Sequence, residues 1–386
     1  MSGRYDLATL SGESRLAILD GLQAIGIEAR LEDTELLVVP VSATQASEAE
    51  GLIAAMRKTH RLVARKVLRE RRSKAHLGCS DRELADCKDL HFFGDGLTGI
   101  SGDLLRLFRY FEDWFRGLAR DFGAHDQHYP VMLPSELLHE VGYFGNFPQH
   151  VTLCCHFPDR LPVLENIAHQ AKNVSSESLR ATFGETVDAP SHVLTPAVCL
   201  PCYSQHQGLR ISRGSVHCIT MQNHVFRYEA NRFRPLSRGW DFSVRDIVLF
   251  GSGNDLLALR AEVMERVFEL CESLDLDVSL ELANDPFFLD TGRDKVVYQR
   301  MGEVKYELLF HCPGRDAPLA ASSFNLHRDY YSSIYDIAFD DGSRAETACM
   351  GFGIERWLYG FVTQKGLDTE RWPEPVRHAV TQMRDR

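Results

Sequence analysis

Residues 226–250, FRYEANRFRPLSRGWDFSVRDIVLF, hold side chains whose types and spacing suit phosphate chemistry. Arg227 and Glu229 stand two apart in the run HVFRYE, so an extended backbone projects both from one face. Phe242, Val244 and Asp246 share a face of the run WDFSVRDIVLF in the same way. Both runs read as strands, and the basic, turn-rich segment between them carries Arg232, Arg234, Pro235, Arg238 and Gly239. A cation, two carboxylates and an aromatic ring can thus converge on one sheet surface. Arginine grips phosphate oxygens as a fork and an aromatic face stacks on adenine, so such a surface suits a nucleoside triphosphate. An ordinary hairpin with a solvated ladder of ion pairs is the alternative that this stretch alone leaves open.

A second informative stretch lies near the C-terminus. Residues 346–360, ETACMGFGIERWLYG, place a Gly-x-Gly turn before Ile354-Glu355-Arg356 and an apolar helix start. The two stretches together resemble the second and third signature motifs of class II aminoacyl-tRNA synthetases. In that family an Arg-x-Glu strand, a loop and a returning Phe precede a late Gly-x-Gly-x-Glu-Arg segment. Residues 129–147, YPVMLPSELLHEVGYFGNF, resemble the first motif, which builds a dimer interface. The resemblance implies an α+β fold, an antiparallel sheet flanked by helices, and a homodimer.

The elements that must position these residues follow from periodicity. Residues 1–80 read as a small α/β unit, with residues 81–386 as the catalytic domain and a composition shift at 78–88 between them. Residues 47–72 have the pattern of one long helix. It and the residues after it carry nine basic side chains, from Arg57 to Lys74, which read as a solvated face or as a docking stripe for an acidic partner. No heptad array is present, so the coiled-coil arm of a standard seryl-tRNA synthetase is not expected. Residues 101–122 read as an amphipathic helix packed through Leu104, Leu107, Phe108, Phe111 and Phe115, and residues 255–274 as another. Gly94-Asp95-Gly96 lacks the following Gly-Lys-Ser/Thr of a P-loop. Residues 158–190 read as loop-rich. Residues 320–331, AASSFNLHRDYY, pack polar side chains between apolar strands, as a substrate-facing strand would.

With 386 residues, net charge −11 and ordinary composition, the chain reads as a globular protein and not as a general nucleic-acid binder. No apolar run approaches the roughly 20 residues that span a bilayer, and residues 1–15 lack the apolar core of a signal peptide, so a cytoplasmic location is expected. The ten cysteines show no secreted-framework spacing. Cys199 and Cys202 form a lone CxxC flanked by prolines, with no second pair for a zinc ribbon and a setting unlike a thioredoxin helix start.

The strings TPAVCLPCY, FRYE, DFSVRDIV, ELANDPFF, KYELLF, SSFNLHRD and TACMGFGIER, over about residues 90–365, bring the resemblance closer. They are similar to the zinc-dependent seryl-tRNA synthetases of methanogens and, more closely, to their truncated bacterial relatives, the amino acid:carrier protein ligases. In that group two cysteines and a carboxylate hold one zinc, which takes the substrate amino group. The matching positions are Cys199, Asp246 and Cys349, with aspartate where the family has glutamate. Arg227 is then expected on the α-phosphate and substrate carboxylate, Arg356 on the γ-phosphate, Phe242 against adenine, and Glu229 on the adenine amino group or the loop. Ser323, Asn325 and Glu281 are expected at the amino acid. Mg²⁺ is expected on the ATP phosphates; its usual carboxylate has no match near residues 319–321, and Glu307 is the candidate. The implied activity is ATP-dependent adenylation of a small amino acid and its transfer to the phosphopantetheine thiol of a carrier protein. The alternatives are a seryl-type enzyme charging tRNA, for which the acidic charge is unfavourable, and an inactive paralogue serving as a binding or regulatory subunit.

Overall fold

The computed structural model describes residues 3–8, 10, 15, 18–19, 21–23, 26–59, 66–73, 78–228, 233–283, 304–315 and 317–384. Strands β1 (Gly3–Asp6), β2 (Glu28–Glu32) and β3 (Glu35–Val39) form an antiparallel sheet in the order β1-β3-β2, closed by helix α1 (Ala43–Thr59). Leu7, Ile18, Leu22, Leu36, Val38 and Ile53 give this unit its own core.

The helix expected over residues 47–72 ends at Thr59, and Val67–Arg71 is instead strand β4, paired antiparallel with a strand of the large sheet. Its basic side chains are spent within the chain. Arg69 pairs with Glu265 and Glu272, Arg71 with Asp275 at 2.6 Å, and Arg72 with Asp277 and Glu70. Three of the nine cations expected in a docking stripe are therefore partnered at home. The pattern VLRER alternates too weakly to separate a charged edge strand from a helix face.

Beyond it, β5 (Leu90–Gly94) and β6 (Leu97–Ile100) form a hairpin, followed by helix α2 (Gly102–Asp121). The Asp89 carboxylate accepts the Asp103 amide at 2.8 Å and caps α2. Gly102 is required there: its φ is +54°, and a Cβ would stand 2.3 Å from Asp89 Oδ1. Leu104, Leu107, Phe111 and Phe115 are buried as their spacing demands.

Then come β7 (His125–Asp126), β8 (Met132–Pro134) and β9 (Thr152–Cys154). Residues 158–190, expected as loop, hold helices α3 (Leu161–Asn173) and α4 (Ser176–Thr186). Their faces are mostly exposed, so hydrophobic periodicity gave little signal. Strand β10 (His192–Leu194) pairs with both β8 and β9. Helix α5 (Leu200–Gln205) and the short β11 (Arg210–Ile211) lead into β12 (His217–Phe226) and β13 (Asp241–Gly251). Helix α6 (Gly253–Ser273) is capped by Ser252. It is followed by β14 (Val278–Leu282), β15 (Lys305–Phe310), β16 (Leu319–Arg328), β17 (Ala338–Phe339) and β18 (Glu346–Gly353). Helices α7 (Ile354–Lys365) and α8 (Glu374–Arg384) end the chain.

The eight-stranded sheet has the order β4-β14-β15-β16-β18-β13-β12-β7, with every neighbouring pair antiparallel except β12 and β7. One face is packed by α2, α6 and α7; Phe115 of α2 stacks on Phe352 of β18 with centroids 4.3 Å apart. The other face carries Ile219, Met221, Val225, Phe242 and Val248, covered by α5 and Tyr129. The three long helices occupy one face, and the opposite face, covered only in part by the short α5, carries the polar and charged side chains described next. Among the described residues no helix is long and apolar enough to cross a membrane.

Candidate active site

Alternation on β13 sends Phe242, Val244, Asp246 and Val248 to the face opposite α2. Residues directly opposite one another across a sheet share a face, which places two neighbouring rows of side chains side by side. One row runs Asp246, Gly351, Ser323, Glu307, Glu281 over β13, β18, β16, β15 and β14. The next runs Val248, Cys349, Asn325, Lys305.

Cys199 reaches these rows from the N-cap of α5. The segment before it is strapped to the end of β12: the Phe226 amide donates to Thr195 O at 2.9 Å and Arg227 Nε to Pro196 O at 2.9 Å. Pro201 sits in the first turn of α5, where its missing N–H costs no helical hydrogen bond. The CxxC therefore does open a helix after a strand, contrary to expectation, but its two sulfurs part company. Cys199 joins Asp246 and Cys349, their ligand atoms all within 4.8 Å of one another. Cys202 is fully buried beside His206, outside that group.

All three clustered residues are buried, and Cys349 Sγ lies 3.8 Å from Asp246 Oδ2. Burial pushes the Asp246 carboxyl up to about 7, against the pull of Cys199 and of the Arg227 charge. The hydrogen bond with Cys199 comes first, and burial second, in raising the Cys349 thiol well above its ordinary range. Two soft sulfurs and one carboxylate oxygen held at this spacing form a zinc-type donor set that leaves a fourth position open. A buried carboxylate and two thiolates would be costly without a cation among them. On the chemistry of the donors, the residues fit the metal.

Beside this cluster stands the phosphate-type machinery. Arg227 and Arg356 both approach the Phe242 ring, their guanidinium carbons 5.7 and 5.9 Å from its centroid. Arg356 Nη1 donates to Ala320 O at 2.9 Å. Gly351 and Gly353 lie in β18 and form no turn before α7; the backbone at Gly353 is extended. Glu355, whose role the sequence reading left blank, accepts the Ser243 amide with both carboxylate oxygens, at 2.9 and 2.8 Å. It thereby ties the start of α7 to β13 and fixes the direction from which Arg356 reaches Phe242. Burial raises the Glu355 carboxyl to about 7.

Asn325, directly opposite Cys349, donates to Ser323 Oγ at 3.2 Å, so both stand beside the Cys–Asp cluster. Glu307, the carboxylate expected to meet Mg²⁺, has its Oε1 3.0 Å from Lys305 Nζ. Glu281 is buried, accepts from Ser279 Oγ at 2.5 Å, and lies four strands from Asp246, about 19 Å at ordinary strand spacing. It is not brought to the Cys–Asp cluster. Glu229 lies outside the described residues.

A sheet of this topology, helix-backed on one face and carrying two arginines about an aromatic ring on the other, defines the class II aminoacyl-tRNA synthetase catalytic fold. The seryl-tRNA synthetase of M. kandleri, solved with A. aeolicus tRNASec, superposes over 92% of this chain and 73% of its own, with TM-score 0.75 and 20% identity. The cytoplasmic serine-tRNA ligase of Naegleria fowleri, solved with AMP, gives TM-score 0.61 over 88% of this chain and 78% of its own, at 12% identity. In sequence, amino acid–acyl-carrier-protein ligase 2 of Bradyrhizobium diazoefficiens is 30% identical over 253 residues, 64% of this chain and 72% of that protein. The type-2 serine–tRNA ligase of Methanothermobacter thermautotrophicus is 24% identical over 293 residues, 75% of this chain but only 57% of that relative's length. No protein-family model matches the chain. The chain belongs to the family of ligases that comprises the amino acid–acyl-carrier-protein ligases and the type-2 serine–tRNA ligases.

Proposed function

We propose that the chain activates a small amino acid with ATP and passes the aminoacyl group to the phosphopantetheine thiol of a carrier protein. The observation that carries this reading is the convergence of Cys199, Asp246 and Cys349 with Arg227, Phe242 and Arg356 on one sheet face. In the first step the amino-acid carboxylate attacks the α-phosphorus, an O–P bond forms, and the bond to pyrophosphate breaks. Arg227, fixed by Pro196 O, holds the carboxylate and α-phosphate together. Phe242 stacks on adenine, and Arg356 receives the γ-phosphate charge. Catalysis here is positioning and charge neutralisation. In the second step the acceptor thiol attacks the carbonyl carbon and AMP leaves.

Cys199, Asp246 and Cys349 would hold zinc, which when bound supplies a Lewis-acid position for a neutral amine. A substrate lacking that amine forfeits the interaction and leaves a polar site unpaired, which rejects it more strongly than an apolar wall does. Ser323 and Asn325, hydrogen-bonded to each other beside this position, would contact the amino acid. Mg²⁺ enters with ATP, and Glu307, whose Oε1 is 3.0 Å from Lys305 Nζ, is the candidate carboxylate for it.

The carrier reading is favoured by the 30% identical ligase, matched over most of its length, whereas the match to a type-2 serine–tRNA ligase spans little more than half of that enzyme. We place residues 129–147 at a homodimer interface, which light scattering at micromolar concentration tests. The activity is tested by amino-acid-dependent ATP–pyrophosphate exchange: a purified chain that catalyses no exchange with any small amino acid overturns it and leaves the binding-subunit alternative.

A further inference from the structure

Helix α5 is flanked by metal-ligating residue types at both ends, Cys199 at its N-cap and His206 at its C-cap. His206 Nδ1 lies 2.8 Å from the carbonyl oxygen of Cys202, with Cys202 Sγ farther off at 3.8 Å. Nδ1 therefore carries the proton and donates it to the carbonyl, which leaves the lone pair on Nε2. That Nε2 stands 3.3 Å from Nε2 of His217 on β12. A third imidazole is at hand: the ring of His125, on edge strand β7, is centred 6.3 Å from that of His217. His125 is paired with Ile219, which shares a strand face with His217. Phe250 packs against the rings of both His206 and His217, at 5.3 and 5.9 Å, and limits their rotation.

We propose that His206 and His217, joined by His125, form a second metal site, distinct from the Cys199–Asp246–Cys349 cluster, for a divalent ion such as Zn²⁺, Ni²⁺ or Cu²⁺. Two imidazole nitrogens at about 2.0–2.1 Å from a tetrahedral ion stand about 3.3–3.4 Å apart, which the pair already meets. A ligating histidine that donates its other N–H to a backbone carbonyl is the usual supporting arrangement, and His206 has it. Imidazole nitrogen suits this set of ions. A cavity of about 190 Å³, lined by Arg210, Ser215 and His217 among others, reaches the His217 side of the pair. His125, exposed on its edge strand, does not stand within ligand distance of the pair; a side-chain rotation would be needed to bring in its nitrogen as third donor, with water completing the shell. An ion here would tie the C-terminal end of α5 to β12 while the other end of the same helix presents Cys199. Metal-free, the same geometry is a hydrogen bond from His217 Nε2–H to His206 Nε2.

Zinc analysis of the chelator-stripped, zinc-dialysed full chain tests the site. The expected result is two zinc ions per chain in the unmodified protein, one in His217→Gln and one in Cys349→Ser. In Cu²⁺ titrations, the electron paramagnetic resonance signal of Cys349→Ser is expected to show nitrogen coupling that His206→Gln and His217→Gln lose. The exposed His125→Gln substitution disturbs no core packing and is expected to weaken the second equivalent several-fold even if the other two variants fold poorly. Zinc content and nitrogen coupling unchanged in His217→Gln and His125→Gln would overturn the site and leave a hydrogen-bonded pair only. Loss of zinc in Cys349→Ser alone bears on the other cluster, so the two readings fail separately.

Discussion

The carboxylate of Asp246 lies across Gly351: a Cβ built on that glycine would stand 2.8 Å from Asp246 Oδ1 and 3.4 Å from Ser323 Oγ. β18 cannot retreat, because it is hydrogen-bonded between β13 and β16. Gly351→Ala must therefore turn the Asp246 side chain away from Cys199 and Cys349. The expected outcome is a folded protein that loses the metal of the Cys199–Asp246–Cys349 cluster on dialysis, as Cys349→Ser does. Gly353→Ala is the control, since its Cβ would meet nothing closer than 3.6 Å and its φ is negative. Metal analysis beside a thermal melt decides; equal metal retention in the two variants sinks the argument.

Glu355 binds its proton more tightly in the fold than in the unfolded chain, since burial raises it from 4.5 to about 7. Its contribution to stability is complete below about pH 4.5 and is lost as pH rises through about 7. Glu355→Gln keeps an oxygen for the Ser243 amide and removes the titration. Between pH 5 and 8 the melting temperature of the variant is expected to fall less steeply than that of the unmodified chain, by up to the linkage of one proton. Parallel curves over that range would show that the Ser243 contact holds Glu355 ionised throughout.

Arg227 and Arg356 are each anchored to a backbone carbonyl, Pro196 O and Ala320 O, so their heads are preset before substrate arrives. Arg227→Ala and Arg356→Ala are each expected to lower ATP–pyrophosphate exchange by about 10²–10³-fold with the fold intact, the scale for removing one preorganised charge contact. Lysine at either position should restore little, because it lacks the planar fork. Exchange within a few-fold of the unmodified protein removes that arginine from the phosphate site.

How much of this was legible in the sequence depended on how strongly burial patterned each stretch. Strand β13 and helices α2 and α6 were readable because buried faces impose strict periods; β12 was placed too late, since it runs His217–Phe226 and ends before Arg227, and Cys199, Asp246 and Cys349 were named from the family resemblance and not from any period. Strand β4 was misread because its charged residues find partners 196 and 204 positions away, on α6 and the turn after it. Helices α3 and α4 were missed for want of a buried stripe. The pairing of His206 with His217 has no local signature, since it joins a helix C-cap to a strand eleven residues on.

The acceptor is the remaining choice, and the ion pairs of β4 change its argument. Arg69, Arg71 and Arg72 neutralise Glu265, Glu272, Asp275 and Asp277, so they offer little to an incoming polyanion. A tRNA must be met by several phosphate contacts, each of which adds to the salt dependence of binding. With 54 acidic against 43 basic residues and these cations already partnered, the chain has less to give a tRNA than its sequence suggested. A carrier protein asks for less, a small complementary patch and a channel for one thiol. The deciding measurement supplies the chain with labelled small amino acids and MgATP, then offers total tRNA or a holo carrier protein. Label is expected on the holo carrier, released by hydroxylamine and absent from the apo carrier that lacks the thiol. Label on tRNA alone would overturn the carrier reading and make the unit built from β1–β3 and α1 a candidate tRNA-binding module.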